Sequence, residues 1–286
     1  MRSEYQSSFQ LVPRRPIFLS LAIPCFNYPE GLENIISKAS LSTKGKLELV
    51  ISDDSTNNEV EEVSKTSSGS IDITYIRGPA QRTSHVDNWN ACLSCCKGDY
   101  LILMHHDDCP QSPSFFNDLT EEIVKYNYPD VIILQPKITL GRHPVAVYPL
   151  QLRRMLFALL GPASLLHFNY IGPPSVVAYR RDKFNVKYLS SLQFLVDIEF
   201  YIRLLSQPGI SIHWSQLAIL TETSRPNQVT NILKQNKILI NLLKTERRAI
   251  KQYSPFLALP ISQIITLYIL YFIMKLRIFC FRVALT

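Results

Sequence analysis

Four short apolar runs recur through the first hundred residues, at 17–23, 47–52, 71–76 and 100–104, each bounded by polar or turn-forming residues. Runs of that length predict strands, and the one at 100–104, without polar alternation, predicts a strand buried on both faces. Between them the pattern becomes helical. One helix begins near Pro29, a second is led by Glu59, Glu61 and Glu62, and a third over 89–97 is closed by Gly98 in the C-cap position. Strand alternating with helix predicts an α/β fold, a doubly wound and mostly parallel sheet with helices on its faces. Further strands are expected at 130–134 and 176–179, and Gly161, Pro162, Gly172, Pro173 and Pro174 predict a loop-rich segment between them.

Residues 192–205, LQFLVDIEFYIRLL, are apolar on nearly every face, the pattern of a buried helix, yet Asp197, Glu199 and Arg203 are set into it. Glu199 and Arg203 stand four apart and can pair. Asp197 is left without a local partner. A carboxylate on a rigid helix, ionised at neutral pH, is a candidate general base toward a hydroxyl; the other reading is an acid near a helix start, stabilised by the macrodipole. From 231 to 253 apolar and basic positions interleave as in an amphipathic helix, and 256–274 carry no formal charge. As a helix that stretch would measure about 28 Å against a bilayer core of about 30 Å. Basic residues flank it on both sides, so spanning a membrane, lying in its interface and packing in a soluble oligomer all stay open.

Charge separates the two parts. Of the net +7, residues 231–286 carry +8, nine Lys or Arg against Glu246 alone, which leaves −1 on residues 1–230. A catalytic domain of that balance argues against nucleic acid as a partner, whereas a basic, apolar tail points to an anionic membrane surface. Residues 1–16, polar and holding Pro13 and Pro16, predict a flexible arm. The division expected is therefore an arm at 1–16, a domain at 17–230 and a membrane-associated tail at 231–286. Six cysteines without regular spacing and no signal-like start suggest a reducing compartment, and the Cys92, Cys95, Cys96 group lacks a second ligand pair at zinc spacing.

The chemistry gathers where strands end. The run at 100–104 stops abruptly at His105, His106, Asp107 and Asp108, and the strand at 47–52 delivers Asp53 and Asp54. Adjacent carboxylates repel, and in an open α/β sheet both pairs would face the crevice beyond the strand ends, where ligands sit. Hard divalent ions such as Mg²⁺ or Mn²⁺ take one or two carboxylates together with substrate phosphates.

The order of these features resembles glycosyltransferase family 2, with its GT-A fold. Leu19-Ser20-Leu21-Ala22-Ile23-Pro24-Cys25-Phe26-Asn27 is similar to that family's first strand and Pro-x-Tyr-Asn turn. Val50-Ile51-Ser52-Asp53-Asp54-Ser55-Thr56 resembles its Asp-Asp-Gly-Ser strand end, without the Gly. Asn88-Trp89-Asn90 before Lys97-Gly98-Asp99-Tyr100 resembles a subgroup with Asn-Trp-Asn ahead of Gly-Glu-Tyr. His106-Asp107-Asp108 stands in place of Asp-x-Asp, Val196-Asp197 in place of Glu-Asp, and Arg225-Pro226-Asn227-Gln228-Val229-Thr230 resembles the Arg-x-His-x-x-Ser loop.

The resemblance covers roughly 17–230 and implies an inverting transfer of a sugar from a nucleoside-diphosphate-sugar donor to a hydroxyl. By it, Pro24 and Asp54 line the base pocket with Asp53 nearby, Asp107 holds the ribose or donor sugar, and Asp108 binds a divalent cation, Mn or Mg, at the diphosphate. Asp197 is the base, and Arg82 or Arg225 adds a cation at the phosphates. A glycan or lipid-linked acceptor and a place on the cytoplasmic face of a membrane are expected from the tail, in polysaccharide or cell-envelope synthesis. Asn227 and Val196 depart from the pattern and keep a second function in view, a membrane-attached nucleotide-binding scaffold with an inactive GT-A domain. A nucleotidyltransferase would show a Gly-rich phosphate loop after the first strand, and a pore former would not carry a full α/β domain ahead of its amphipathic segment.

Overall fold

The computed structural model describes residues 16–67, 71–78, 84–140, 143–146, 148–184, 187–221 and 238–253, with Ile265 and Ile269 beyond them. Its first half follows the apolar runs. Strands β1 (Phe18–Cys25), β2 (Lys46–Asp53), β3 (Asp72–Arg77) and β4 (Tyr100–Leu103) alternate with helices α1 (Pro29–Ala39), α2 (Glu59–Ser67) and α3 (His85–Ser94). Order β3-β2-β1-β4 is parallel throughout. Leu21, Ile23, Leu49, Ile51 and Ile102 are fully buried. At about 1.5–3 kcal/mol for each such side chain, their burial fixes the register that brings the ends of β1, β2 and β4 to one edge.

Beyond β4 the sheet turns mixed. There follow β5 (Asp108–Pro110), α4 (Phe115–Lys125), β6 (Val131–Leu140), β7 (His143–Ala146), α5 (Leu150–Leu160), β8 (Val177–Arg180), α6 (Val196–Leu205), β9 (Ile212–Thr221) and α7 (Leu239–Tyr253). Strand β8 sits antiparallel between β4 and β6, β9 lies parallel to β6, and β5 closes the far edge antiparallel to β9. The sheet is thus wholly parallel in the half that the four apolar runs build and mixed in the other, where β6 and β9 are the parallel pair. Short 3₁₀ turns at Pro162–Leu166 and Pro174–Val176 occupy the segment expected to be loop-rich.

Two expectations are corrected. Helix α3 starts four residues earlier than 89, where the Ser84 hydroxyl accepts from the Val86 N–H at 3.1 Å, and it ends at Ser94. Gly98 is not its cap. A side chain there would press on Ser20, its Cβ 2.7 Å from the Ser20 nitrogen, so the glycine serves the close approach of the 96–99 turn to β1. The turn is held by Glu48, whose Oε1 accepts from the Ser20 hydroxyl (2.5 Å) and from the N–H groups of Lys97 (2.5 Å) and Gly98 (3.2 Å). The second correction concerns Asp107 and Asp108. They do not end β4, which stops at Leu103; Asp108 opens β5 after a turn.

Helix α7 is amphipathic, as its spacing predicts, and is docked on the domain through Ile250 and Glu246, both buried. Among the described residues no helix is long and apolar enough to cross a membrane. The arm at 1–15, Arg82, Arg225 with its loop, and the apolar stretch 256–274 apart from Ile265 and Ile269 lie outside the described residues.

Candidate active site

The ends of β1 and β2 form the first wall. Asp54 follows β2, and its N–H donates to the Cys25 carbonyl at 3.1 Å. Asn27, in the left-handed region at φ 48°, clasps the same edge: its N–H donates to the Ser55 hydroxyl (2.8 Å), while its side-chain oxygen accepts from the Thr56 N–H (2.9 Å). Asp53 is turned inward. Its oxygens accept from the Ser55 N–H (2.8 Å), the Tyr75 hydroxyl (2.8 Å) and Arg77 (2.9 Å). It therefore braces the strand end that presents Asp54. Pro24 lies beside it on β1, and Phe26 is half exposed on the rim.

The second wall is the turn between β4 and β5. His105, Asp107 and Asp108 each offer a ligand atom, all within 4.8 Å of one another. His106 points the other way, its Nδ1 3.0 Å from the Pro24 carbonyl. Helix α1 lies against this turn at Gly31, where a Cβ would sit 2.0 Å from the His106 carbonyl oxygen. Asp108 is buried. The Ser175 hydroxyl donates to its Oδ2 and in turn accepts from the His105 N–H at 3.2 Å, whereas its Oδ1 is buried without a hydrogen-bond partner, as is His105 Nε2. Burial first, then the charge of Asp107, pushes the Asp108 carboxyl up to about 8; burial pulls His105 down to about 4. A carboxylate with an orphaned oxygen, a neighbouring acid and an unprotonated imidazole form a donor set that fits a divalent cation, which would favour the ionised acid and the neutral histidine. Sequence reasoning did not choose His105, because two adjacent histidines look alike until the turn sends them to opposite sides.

Asp197 stands in the first turn of α6, partly buried. Its Oδ1 accepts from the Ile198 N–H (2.8 Å) and its Oδ2 from the Asn169 amide (3.0 Å). Glu199 and Arg203 pair as their spacing predicts. Asp197 is not partnerless, nor fully ionised at neutral pH: burial foremost, with the charge of Glu246 adding to it and the hydrogen bonds opposing, raises its carboxyl to about 7. Segment 169–175 links both sides, since Asn169 holds Asp197 and Ser175 holds Asp108.

That segment is fixed by Arg153 of α5, fully buried, which donates to the carbonyls of Tyr170 (2.8 Å), Ile171 (2.5 Å) and Leu134 (2.9 Å) and lies over the Trp214 ring. The Asn88-Trp89-Asn90 stretch ties the walls together. Asn88 donates to the Cys25 carbonyl (3.4 Å), Asn90 exchanges hydrogen bonds with the Tyr188 backbone (2.8 and 2.9 Å), and the Trp89 ring packs on His105 and Tyr188. Asn169, Ser175 and Arg153 carry no sequence signal, because their partners lie far away along the chain.

Comparison with known proteins bears on the family and the fold. The sequence model of the family described as Glycosyl transferase family 2 matches residues 20–186. Curated proteins yield no match to the chain. Several crystal structures share the fold. TarS residues 1–349 of S. aureus in complex with UDP-GlcNAc superposes with a TM-score of 0.57 at 14% identity, covering 75% of this chain and 60% of that one. The same fragment without that ligand gives 0.55 at 14% identity, with 72% and 60% covered. Glucosyl-3-phosphoglycerate synthase from Mycobacterium tuberculosis, with Mn²⁺, UDP and glucosyl-3-phosphoglycerate, gives 0.51 at 18% identity, with 80% and 79% covered. The chain thus spans about three fifths of the TarS fragment's length.

Proposed function

The chain belongs to glycosyl transferase family 2, and from that premise we propose that it moves a sugar from a nucleoside-diphosphate-sugar to an acceptor hydroxyl, inverting the anomeric carbon, with Asp197 as the base. The observation that carries this reading is the pair of carboxylates, Asp108 buried and Asp197 partly buried, joined by segment 169–175. One has an orphaned oxygen beside a second acid, and the other has a carboxyl raised to about 7. His105, Asp107 and Asp108 would hold a divalent ion, Mn²⁺ or Mg²⁺, which when bound stabilises negative charge on a diphosphate. The remaining steps belong to the chain. Pro24, Asp54 and Phe26 form the rim that takes the nucleoside, with Asp53 bracing it, and Asp107 lies where the ribose or sugar would reach. Asp197, poised near its own pKa, accepts the proton as the acceptor oxygen attacks the anomeric carbon and the bond to the diphosphate breaks. Arg82 and Arg225 are proposed as further cations at the phosphates.

The neighbours crystallised with UDP-GlcNAc, or with Mn²⁺ and UDP, make UDP the first nucleotide to try. The acceptor is proposed to be a glycan or a lipid-linked sugar at the cytoplasmic face of a membrane. Supporting this is the exposed face of α7, where Lys244, Arg248 and Lys251 line up beside exposed Ile240, a surface suited to anionic headgroups. The test is calorimetric titration with UDP, GDP and dTDP, with and without Mn²⁺, on wild type and Asp108→Ala. Metal-dependent binding of one nucleotide, lost in the variant, supports the reading. Absence of binding under every condition overturns it, and nucleotide binding without turnover favours the inactive nucleotide-binding scaffold.

A further inference from the structure

The N–H groups of Gln193, Phe194 and Leu195 run into the start of α6, whose own N-cap residue, Leu195, supplies no side-chain acceptor. Three successive N–H groups left inside a protein without acceptors would be destabilising, at about 1–3 kcal/mol each. One carboxylate takes all of them. Glu246, from the middle of α7, accepts from Gln193 at 2.6 Å, from Phe194 at 3.1 Å and from Leu195 at 2.7 Å. It is almost completely buried, and α7 holds it there by packing Ile250 into the core. Glu246 is also the single acid of the basic C-terminal segment. A stripe of cations that spends its one carboxylate on a backbone turn, 51 residues from Leu195 in sequence, marks a specific tie.

The turn so gripped leads directly into Asp197 in the next helical turn. On its other side it follows Tyr188, whose ring stacks on Phe200 of α6 and packs on Trp89. We propose that Glu246 is the positioning residue of Asp197: α7, which follows the 20–186 segment matched to the family, completes the active site by clamping the 193–195 turn and setting where the base stands. The proposal rests on the reading of Asp197 as the base. Its physical content is that α6 has no cap of its own, so the position and tilt of its first turn, and with them the Asp197 carboxylate, follow the carboxylate that α7 inserts. Misplacing a base by about 1 Å lowers turnover far more than it lowers donor affinity. Glu246 acts on Asp197 in a second way, since its charge opposes ionisation of the base. Among the described residues the phenols of Tyr188 and Tyr201 also face Asp197, and the His85 imidazole faces the Glu246 charge.

Two variants separate reach from charge. Glu246→Gln keeps the length and removes the charge, Glu246→Asp keeps the charge and shortens the reach, and Thr245→Ala on the exposed side is the control. Three quantities are measured on the full chain: amide hydrogen exchange over 191–199, UDP affinity in the presence of Mn²⁺, and the pH profile of turnover of UDP-glucose and UDP-GlcNAc. Expected for Glu246→Gln is faster exchange at 193–195, a kcat lower by about tenfold with donor KM within about twofold, and an acid limb moved down by roughly half a pH unit. Glu246→Asp should lower kcat similarly while leaving the limb in place, and it keeps the test open should Glu246→Gln fold poorly. Faster exchange in both variants with kcat and limb unchanged overturns the proposal, leaving Glu246 a staple for α7 alone. A wild type that binds UDP and Mn²⁺ with protected 193–195 amides yet turns over neither donor removes the base role itself, and the proposal falls with it by a different readout.

Discussion

Two buried carboxylates, Glu48 and Asp108, sit at opposite ends of the strands and are each 1% exposed. At the N-terminal edge, Glu48 accepts three hydrogen bonds at one oxygen that knit β1, β2 and the turn before β4, and neither of its oxygens is buried without a partner. At the C-terminal edge, Asp108 accepts from Ser175 at one oxygen and buries the other without a partner, with a like charge nearby and a carboxyl raised to about 8. Equal burial therefore says nothing about role; satisfaction does. One end of the sheet is finished as protein, whereas the other keeps a buried carboxylate oxygen without a partner.

If that contrast is right, amide replacements at the open end should abolish chemistry and spare the fold. The largest effect is expected for Asp197→Asn, which keeps the shape and the Asn169 contact but cannot take a proton. Turnover should fall by about a thousandfold, with UDP affinity in Mn²⁺ unchanged by calorimetry; a variant within tenfold of wild type would remove Asp197 as the base. Asp108→Asn comes next, with a loss of about a hundredfold or more in turnover and of the metal-dependent part of UDP binding. Its thermal midpoint without metal should equal or exceed that of wild type, because the buried charge problem goes with the carboxylate. A clear drop in midpoint would make Asp108 a brace like Glu48 and erase the comparison.

The finished end should respond in the opposite sense. Glu48→Leu leaves the Ser20 hydroxyl and the Lys97 N–H without their acceptor, while the Gly98 N–H keeps the Ser20 hydroxyl oxygen at 2.7 Å, which predicts a loss of about 2 kcal/mol or more in unfolding free energy. The folded fraction should keep its specific activity and its response to Mn²⁺. Urea denaturation and activity per folded molecule measure both, and a stable but inactive Glu48→Leu protein would contradict the division of labour.

Legibility in the sequence follows the same line. In the parallel half, β4 could be read because burial on both faces writes an unbroken apolar run, Leu101, Ile102 and Leu103, and the partly exposed β3 because Ile71, Ile73 and Tyr75 alternate with polar residues. Strands β5, β7 and β9 escaped: β5 is short, β7 only pairs on the flank of β6, and β9 is interrupted by His213, Ser215 and Gln216 and runs apolar only at 217–220. The acids were found because adjacent carboxylates after an apolar strand are conspicuous. What supports them was not, since a lone Ser, Asn or Arg earns its meaning from a partner such as Asp108, Asp197 or the Tyr170 carbonyl, brought near only by folding. Inward-facing Asp53 shows the converse. A motif position can be filled by the expected residue and still have its oxygens occupied by neighbours, here Tyr75 and Arg77.

The smallest expected effect sharpens the contrast through pH. In an unfolded chain an aspartate loses its proton near about 3.9, whereas folded Asp197 holds it up to about 7. Below pH 4 both states are protonated and the group contributes no difference. Between 4 and 7 the unfolded state gives up its proton first, so the folded state binds more protons and stability falls as pH rises, levelling off above 7. Replacing Asp197 by Asn removes that slope. The urea midpoints of wild type and Asp197→Asn, both without metal, should coincide near pH 4 and diverge toward pH 8. There the variant should be the more stable by roughly 1–3 kcal/mol, part of the full shift being offset by the partial exposure of the side chain. Taking the difference between the two proteins cancels the titration of Asp108, which both retain. A difference that shrinks or changes sign as pH rises would mean that Asp197 is better satisfied when ionised, and it would move that residue from the open end of the sheet to the company of Glu48.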